Sequence, residues 1–247
     1  MSIRYNLITV NAQKGPTCWY TAIEIMLRFH GRIIRHSVGA EADDWQQLKE
    51  LRNIIIELAL EKASLDYWTI LNRIIRKLMI TETSSPERER LRAIKNKFEK
   101  AKCTERFSIV DAFLPGYIKP VELNGSSYNA KFVENSLRAF GPLYASVYRP
   151  GASIFDMDYV RDPFPGQTGY VYSFDKNVSF GGLHAIVVYG IDDSGNVYYI
   201  DPSNPHRFCV ISWGILQGQL NSPGGSMGDA LFGRVNCDNC IHLRSRV

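Results

Sequence analysis

The 247-residue sequence lacks any run of about 18 uninterrupted apolar residues, the length that a membrane-spanning helix needs. Its first residues also lack the basic segment and apolar core that characterise a secretory signal peptide. We therefore expect no membrane partner, no transmembrane segment and no Sec-type export signal. Internal repeats and low-complexity tracts are absent as well, which argues against a repeat architecture.

Cysteine is scarce, and its number is odd. Five cysteines cannot all pair into a disulfide framework, so a reducing cytoplasm is the expected working compartment. Two of them lie in Cys237-Asp238-Asn239-Cys240, with His242 close behind. This cluster fits a zinc half-site completed by His206 or Cys209, a redox or disulfide pair, or ordinary C-terminal structure. Because a second Cys-x-x-Cys or His pair is missing, we favour ordinary structure and expect no metal or other cofactor.

Charge of neither sign dominates, with 29 Lys and Arg against 25 Asp and Glu and a net charge of +4. The exception is the stretch from Arg73 to Arg106, which holds eleven basic residues against five Glu. A solvated helix face with Glu partners is the favoured interpretation, and binding to an acidic protein surface is the alternative. A nucleic-acid partner is disfavoured, because no recognised module or aromatic interleaving accompanies the charge.

Residues 43–106 keep helical spacing of apolar positions and predict three helices, the third beginning at Ser85-Pro86-Glu87. We interpret them as a helical insertion in a single catalytic domain that spans residues 1–247. The chain beyond Gly116 is rich in strand and turn signals, with one more helix from Tyr128 to Phe140. The predicted strands are Leu143–Tyr148, Gly169–Phe174, Leu183–Tyr189, Val197–Ile200 and Arg207–Trp213. A helical half facing a twisted antiparallel sheet is an α+β fold.

Cys18 is the strongest candidate for a reactive residue. It follows Gln13-Lys14-Gly15-Pro16-Thr17 and opens an amphipathic helical run that ends at Gly31, with Thr17 as the predicted N-cap. A cysteine in the first turn of a helix faces unpaired backbone N–H groups and the positive end of the helix dipole. Both favour the thiolate, which is the nucleophilic form. The alternative interpretation of Cys18 is a small buried residue at a helix start.

His184 and Asp201 lie where a hairpin would bring them together. His184 begins the predicted strand Leu183–Tyr189, and Asp201 follows the predicted return strand Val197–Ile200. If the hairpin folds about Asp193 and Ser194, antiparallel pairing places Asp201 opposite or diagonally beside His184 on one face. Asp201 would then orient the imidazole, and His184 would exchange a proton with the Cys18 thiol.

The competing interpretations of these two residues are structural. His184 would be a satisfied core histidine on a strand, and Asp201 would be a turn residue that caps Ser203 or Asn204. Asn204 is the runner-up orienter, because its amide oxygen is able to accept a hydrogen bond from the imidazole.

The opening Gln13…Cys18-Trp19 and the later His184-Ala185 with its apolar strand and Gly190 resemble the papain-like cysteine peptidases. The Asp201-Pro202 ending and the segment Leu137–Ala145 are most similar to the bacterial branch that contains bacteriocin-leader peptidases and secreted effector or toxin proteases. Papain itself carries Asn where this chain has Asp201. The resemblance covers roughly residues 6–31 and 128–202.

The resemblance implies a papain-like fold with Cys18 as nucleophile, His184 as general base and acid, and Asp201 as orienter. It also implies that the Gln13 side chain and the Cys18 backbone N–H form the oxyanion hole. The interval from Gln13 to Cys18 is one residue shorter than in papain-type enzymes, so Asn11 is an alternative donor. The implied function is a thiol protease without cofactor that acts on a protein substrate. The same branch implies a bacterial effector or toxin that is delivered by a specialised secretion system and acts in a target-cell cytoplasm, with a cognate inhibitor or immunity protein among the partners left open.

Two other functions remain open at this point. A transglutaminase or deamidase would use the same Cys18, His184 and Asp201, because the same thioester forms from a glutamine side chain or is resolved by an amine. A non-catalytic binding module would use the helical insertion at 43–106 to dock a protein partner and would retain the three residues without activity.

Overall fold

The computed structural model describes residues 2–7, 10–29, 40–102, 106–115, 118–120, 129–149, 182–203, 205, 208–220 and 232–235. These residues form an α+β fold of helices and an antiparallel sheet, in agreement with the predicted fold class. The helices are α1 Cys18–Phe29, α2 Ala40–Leu60, α3 Tyr67–Ile80, α4 Pro86–Ala101, α5 Arg106–Phe113, α6 Ala130–Phe140 and α7 Trp213–Leu220. The strands are β1 Ile3–Arg4, β2 Ile118–Pro120, β3 Leu143–Arg149, β4 Gly182–Ile191, β5 Asn196–Ile200, β6 Phe208–Ser212 and β7 Phe232–Val235.

The chain divides into two compact units. The sheet unit consists of Met1–Gln13, Cys18–Arg32 and Lys119–Val247, and the helical unit consists of Lys14–Thr17 and Ile33–Ile118. The helical unit thus includes the whole predicted insertion at 43–106 and extends beyond it on both sides. Among the described helices of either unit, none is long and apolar enough to cross a membrane.

The helical unit contains α2 to α5, one helix more than predicted. The predicted start of the third helix is confirmed, since Ser85 caps α4 by accepting a hydrogen bond from the Arg88 N–H at 3.2 Å. The apolar side of α4, formed by Leu91, Ile94 and Phe98, is fully buried as its spacing indicates. The sequence prediction missed α5, because its eight residues show no clear helical periodicity.

Most basic side chains of α3 and α4 that form ion pairs take their partner from another helix or loop. Lys77 pairs with Glu57 at 3.0 Å and Arg90 with Glu50 at 3.9 Å. Further pairs join Arg73 to Glu61, Lys97 to Asp44, Arg92 to Glu89 and Lys95 to Glu99. These pairs agree with the interpretation of this basic stretch as a helix surface with acidic partners.

The strand order of the sheet is β2-β7-β3-β4-β5-β6, and β1 pairs with the end of β4. The pairs β1 with β4, β3 with β4, β3 with β7, β4 with β5 and β5 with β6 are all antiparallel. β1 joins β4 at Gly190 and Ile191, beyond Val188, where pairing with β3 ends. Gly190 is required there, because a Cβ would lie 2.8 Å from the Ile3 carbonyl oxygen.

Four of the five predicted strands are found, as β3, β4, β5 and β6, with ends that differ from the prediction by at most two residues. The fifth, Gly169–Phe174, lies outside the described residues. The prediction that the last strand reaches Trp213 is wrong, because Trp213 begins α7. The short strands β1, β2 and β7 were also missed, since segments of two to four residues carry too little alternation to be recognised.

Helix α1 begins at Cys18 and buries its predicted apolar face, but the burial extends beyond that face. Nine of its twelve residues are buried, and these include Tyr20, Thr21 and Ile25, which lie off the predicted apolar face. The remaining polar stripe contains Glu24 and Arg28, which form an ion pair at 2.7 Å. A helix that is buried on most of its circumference holds its N-terminus in a fixed place, and that terminus carries Cys18.

Candidate active site

Cys18 is the first residue of α1 and only 4% exposed. Its Sγ accepts a hydrogen bond from the backbone N–H of Ala185 in β4 at 3.4 Å. The first turn of α1 contains no acidic residue, so the positive end of the helix dipole is not offset there. The Ala185 N–H and the helix dipole both favour the thiolate form of Cys18. The sequence prediction missed the Ala185 N–H, because a backbone donor carries no side-chain signature.

The β4–β5 hairpin brings His184 and Asp201 together. Its loop is Asp193–Gly195, closed by the Asp192 N–H, which donates to the Asn196 carbonyl at 3.0 Å. Gly195 has φ +78°, the left-handed conformation that ends such a loop. This loop is one residue longer than a two-residue turn at Asp193 and Ser194. If the strands beyond it paired without any irregularity, Asp201 would lie opposite Val187.

A β-bulge changes that pairing. Gly190 pairs with Tyr198, whereas Val188 pairs with Tyr199, so the intervening Tyr189 is an extra residue of β4. Beyond the bulge Val187 pairs with Ile200, and the same register places Asp201 beside Ile186. His184 lies two residues before Ile186 in β4, so both side chains are on the same face of the sheet. The bulge therefore puts Asp201 diagonally beside His184. The predicted juxtaposition is therefore present, although through a different turn.

His184 Nε2 lies 2.9 Å from Asp201 Oδ1. The ring also interacts with the Cys18 side chain by a hydrogen bond, and since Nε2 is occupied by the carboxylate, Nδ1 is the nitrogen left for the thiol. This geometry assigns a proton on Nε2 to the Asp201 bond in both the neutral and the charged ring. His184 is thus aligned between a carboxylate and a thiol.

The electrostatics of the site favour a charged imidazole. Burial lowers the pKa of His184, but the charge and hydrogen bond of Asp201 and the hydrogen bond and charge of Cys18 outweigh it and raise the pKa to about 10. Burial has the opposite sign for the carboxyl group and raises the pKa of Asp201. The charge of His184 and the hydrogen bonds from His184 and Ser203 outweigh burial and bring this pKa below its ordinary value. The site therefore stabilises an imidazolium between two anionic groups.

Asp201 is 1% exposed and is held through a single oxygen. Oδ1 accepts from His184 Nε2, from the Ser203 N–H at 2.8 Å and from the Ser203 hydroxyl at 2.6 Å. Oδ2 is buried and has no hydrogen-bond partner among the described residues. Asp201 thus caps Ser203 and contacts His184 at once, so the two interpretations that the sequence left open as alternatives are both true of its contacts.

Gln13 is half-buried, and its backbone N–H donates to the Pro202 carbonyl at 2.8 Å. This bond joins the predicted oxyanion residue to the turn that carries Asp201. Asn11, the alternative donor, is exposed. The backbone contact of Gln13 with Pro202 has no signature in the sequence, because it depends on the tertiary arrangement of two distant segments.

The other candidate ligands and nucleophiles fall into two groups. Cys209 is a buried thiol within β6 and not a disulfide partner, and its side chain belongs to the apolar core of the sheet. Cys237, Cys240, His242, His206 and Asn204 lie outside the described residues. Within the part of the chain that the structure describes, no group of three or more His, Cys, Asp or Glu side chains could hold a metal ion.

No protein-family model matches this chain, and no curated protein matches it either. The arrangement of Cys18, His184, Asp201 and Gln13 is therefore the feature of this chain that bears on its function.

Proposed function

We propose that this protein is a papain-like cysteine peptidase that cleaves a protein substrate through a thioester acyl-enzyme. The observation that carries the proposal is the arrangement of a helix-start thiol, an imidazole and a buried carboxylate in one site. His184 interacts with Cys18 and lies 2.9 Å from Asp201, so the imidazole has one partner on each nitrogen. A nucleophile, a base and an orienter in that order are the elements of a catalytic triad.

In the proposed reaction the Cys18 thiolate attacks the carbonyl carbon of the scissile amide, and the carbonyl π electrons move to its oxygen. The Gln13 side-chain amide and the Cys18 backbone N–H would stabilise this oxyanion. The imidazolium of His184 gives its Nδ1 proton to the leaving amine, and the C–N bond breaks to leave a thioester. His184 then takes a proton from water, the hydroxide displaces the thiolate, and a carboxylic acid is released.

Products distinguish this reaction from its closest alternatives. A thioester formed from a glutamine side chain releases ammonia, and water then yields glutamate, whereas an amine yields a cross-link. These outcomes define a deamidase and a transglutaminase, and neither creates a new chain terminus. A protein that only binds its partner produces none of these changes.

The test of the proposal is to incubate the wild type and Cys18→Ala with a bacterial lysate and a eukaryotic lysate and to label new protein N-termini. New termini are expected with the wild type and not with Cys18→Ala. Cys209→Ala is the matched control, because it removes the thiol of the other buried cysteine, which lies in the apolar core. A one-unit mass increase on glutamine without new termini would favour the deamidase instead, and an unchanged lysate would contradict all catalytic alternatives.

A separate prediction tests the oxyanion residue. Gln13→Ala is expected to slow the hydrolysis of a p-nitrophenyl ester by about 100-fold or more, because that reaction develops a charged oxygen. It should leave the rate of Cys18 alkylation by iodoacetamide unchanged, because substitution at a CH₂ group develops no charged carbonyl oxygen. Asn11→Ala is the control, because the Asn11 side chain is exposed, and we expect it to affect neither rate. If Asn11→Ala loses the ester activity and Gln13→Ala retains it, the oxyanion assignment moves to Asn11.

The resemblance further suggests a bacterial effector or toxin that acts in a target-cell cytoplasm. A cytoplasmic site of action suits this chain, because a thiolate nucleophile needs a reducing compartment and Cys18 and Cys209 are thiols, not disulfide partners. The lysate comparison addresses it directly, because substrates of an effector would be found in the eukaryotic or rival-cell proteome.

A further inference from the structure

Ser203 makes two hydrogen bonds to the carboxylate that orients His184. We propose that Ser203 is a positioning residue of the active site, which acts on His184 and Cys18 through Asp201. The inference rests on the proposed function for its catalytic consequence, but its structural basis stands on distances alone. The Ser203 hydroxyl donates to Asp201 Oδ1 at 2.6 Å, and the Ser203 N–H donates to the same atom at 2.8 Å.

The convergence of three donors on one oxygen gives Ser203 this role. Oδ1 receives His184 Nε2 and both Ser203 donors, and Oδ2 has no partner among the described residues. Two of the three bonds that fix the carboxylate therefore come from Ser203. A carboxylate that is 1% exposed has no bulk water to replace a lost donor. Removal of the hydroxyl should loosen the carboxylate and leave its charge less well stabilised.

The effect should reach the thiolate through His184. Burial raises the pKa of Asp201, and among the described residues the charge and hydrogen bond of His184 and the hydrogen bonds of Ser203 lower it. On the other side of the ring, Cys18 acts on His184. Without the hydroxyl, protonation of the carboxyl and loss of the thiolate–imidazolium pair should both occur at a higher pH.

The chain offers close controls. Ser203 is exposed, so Ser203→Ala should not disturb the core, and Ser203→Thr retains a hydroxyl. Ser194 lies in an equivalent turn of the same hairpin, where its N–H donates to Asp192 Oδ1 at 2.9 Å. Ser194→Ala thus removes an exposed serine hydroxyl two residues after an aspartate, but away from His184.

The experiment measures Cys18 alkylation by iodoacetamide from pH 4 to 9 in the four proteins. We expect the acid limb of Ser203→Ala to move up by about 0.5 to 1 pH unit, which makes alkylation about threefold to tenfold slower on that limb. Ser203→Thr should restore the wild-type profile, and Ser194→Ala should match it. An unchanged profile in Ser203→Ala, an equal loss in Ser203→Thr, or an equal shift in Ser194→Ala would each overturn the proposal.

A second measurement separates this proposal from the proposed function. Titration of the Asp201 carboxyl carbon by ¹³C NMR reports the effect of Ser203 whether or not Cys18 is reactive. A higher midpoint in Ser203→Ala supports the positioning role even if wild-type Cys18 reacts no faster than glutathione at pH 6, a result that would count against the peptidase alone. An unchanged midpoint contradicts the positioning role whatever the peptidase assay shows.

Discussion

Replacement of His184 with glutamine is expected to slow the alkylation of Cys18 by iodoacetamide at pH 6 by about 10- to 100-fold. A cysteine with an ordinary pKa of about 8.5 is almost entirely a thiol at that pH, and only the thiolate reacts. In the wild type, the interaction of the His184 ring with Cys18 favours the thiolate–imidazolium pair. The lower intrinsic nucleophilicity of a stabilised thiolate offsets part of the gain, which limits the expected effect to this range.

Glutamine is the better replacement than alanine, because its amide is able to donate to Asp201 Oδ1 in place of His184 Nε2. Alanine would remove both the charge and the donor that faces Asp201 Oδ1, and it would risk unfolding the site. The adduct is located by peptide mass spectrometry after brief labelling, and thermal unfolding of both proteins checks that the fold is retained. A variant that reacts at Cys18 as fast as the wild type would show that His184 does not activate the thiol.

The second large effect is expected at Asp201, where asparagine and alanine should differ from each other. The three hydrogen bonds that Asp201 accepts from described residues all go to Oδ1, so a carboxamide oxygen at that position is able to accept all of them. The amide NH₂ would then occupy the place of Oδ2. The two Ser203 donors require an acceptor at the Oδ1 position, so they also select this orientation of the amide. Asp201→Asn should thus preserve the orientation of His184 and remove only the charge.

The loss of charge has a defined sign. Burial lowers the pKa of His184, and the charge of Asp201 is the largest effect that raises it, to about 10. In Asp201→Asn the pKa should fall, so the imidazolium is lost at a lower pH. The alkaline limb of the Cys18 alkylation profile is the high-pH inflection at which the imidazolium loses its proton. Its midpoint should move down by about 1 to 3 pH units.

Asp201→Ala should be affected more severely near pH 6, by about 10- to 100-fold relative to Asp201→Asn, because it also loses the bond that orients the ring. Ester hydrolysis and Cys18 alkylation are measured in parallel across the pH range. If the two variants behave alike, the hydrogen bond to His184 contributes nothing beyond the charge. If Asp201→Asn retains the wild-type alkaline limb, the charge of Asp201 does not act on His184.

Much of the site could be predicted from local sequence signals. Thr17-Cys18 before a helical run predicts a helix that begins at Cys18, and the structure has α1 begin there. The continuous apolar run after His184 and the Asp-Ser-Gly turn predict the β4–β5 hairpin, which is also present. Both are short-range patterns, in which each residue is judged by its neighbours along the chain.

What the sequence did not reveal depends on contacts between distant segments. The burial of Tyr20 and Ile25 reflects what surrounds α1, and helical periodicity says nothing of that. The bond from the Gln13 N–H to the Pro202 carbonyl joins residues that are far apart in sequence. Ser203 was recognisable as a turn residue after Asp201, but only the structure shows that both of its donors meet the oxygen that faces His184. Backbone groups and shared acceptors leave no mark in residue type.

The bulge at Tyr189 makes the site unequally sensitive to changes in chain length. A residue gained or lost in the loop Asp193–Gly195 can be absorbed by a different turn type, with the strand pairing on either side left in place. Loss of Tyr189 itself would also leave Val188 opposite Tyr199 and Asp201 beside Ile186, because the bulge residue takes no part in that pairing. A residue gained or lost between His184 and Val188, or between Tyr199 and Asp201, instead turns one of the two side chains to the opposite face of the sheet. Natural variants of this chain should therefore tolerate insertions and deletions at the hairpin tip and keep the length of these two segments wherever the His–Asp pair is in use.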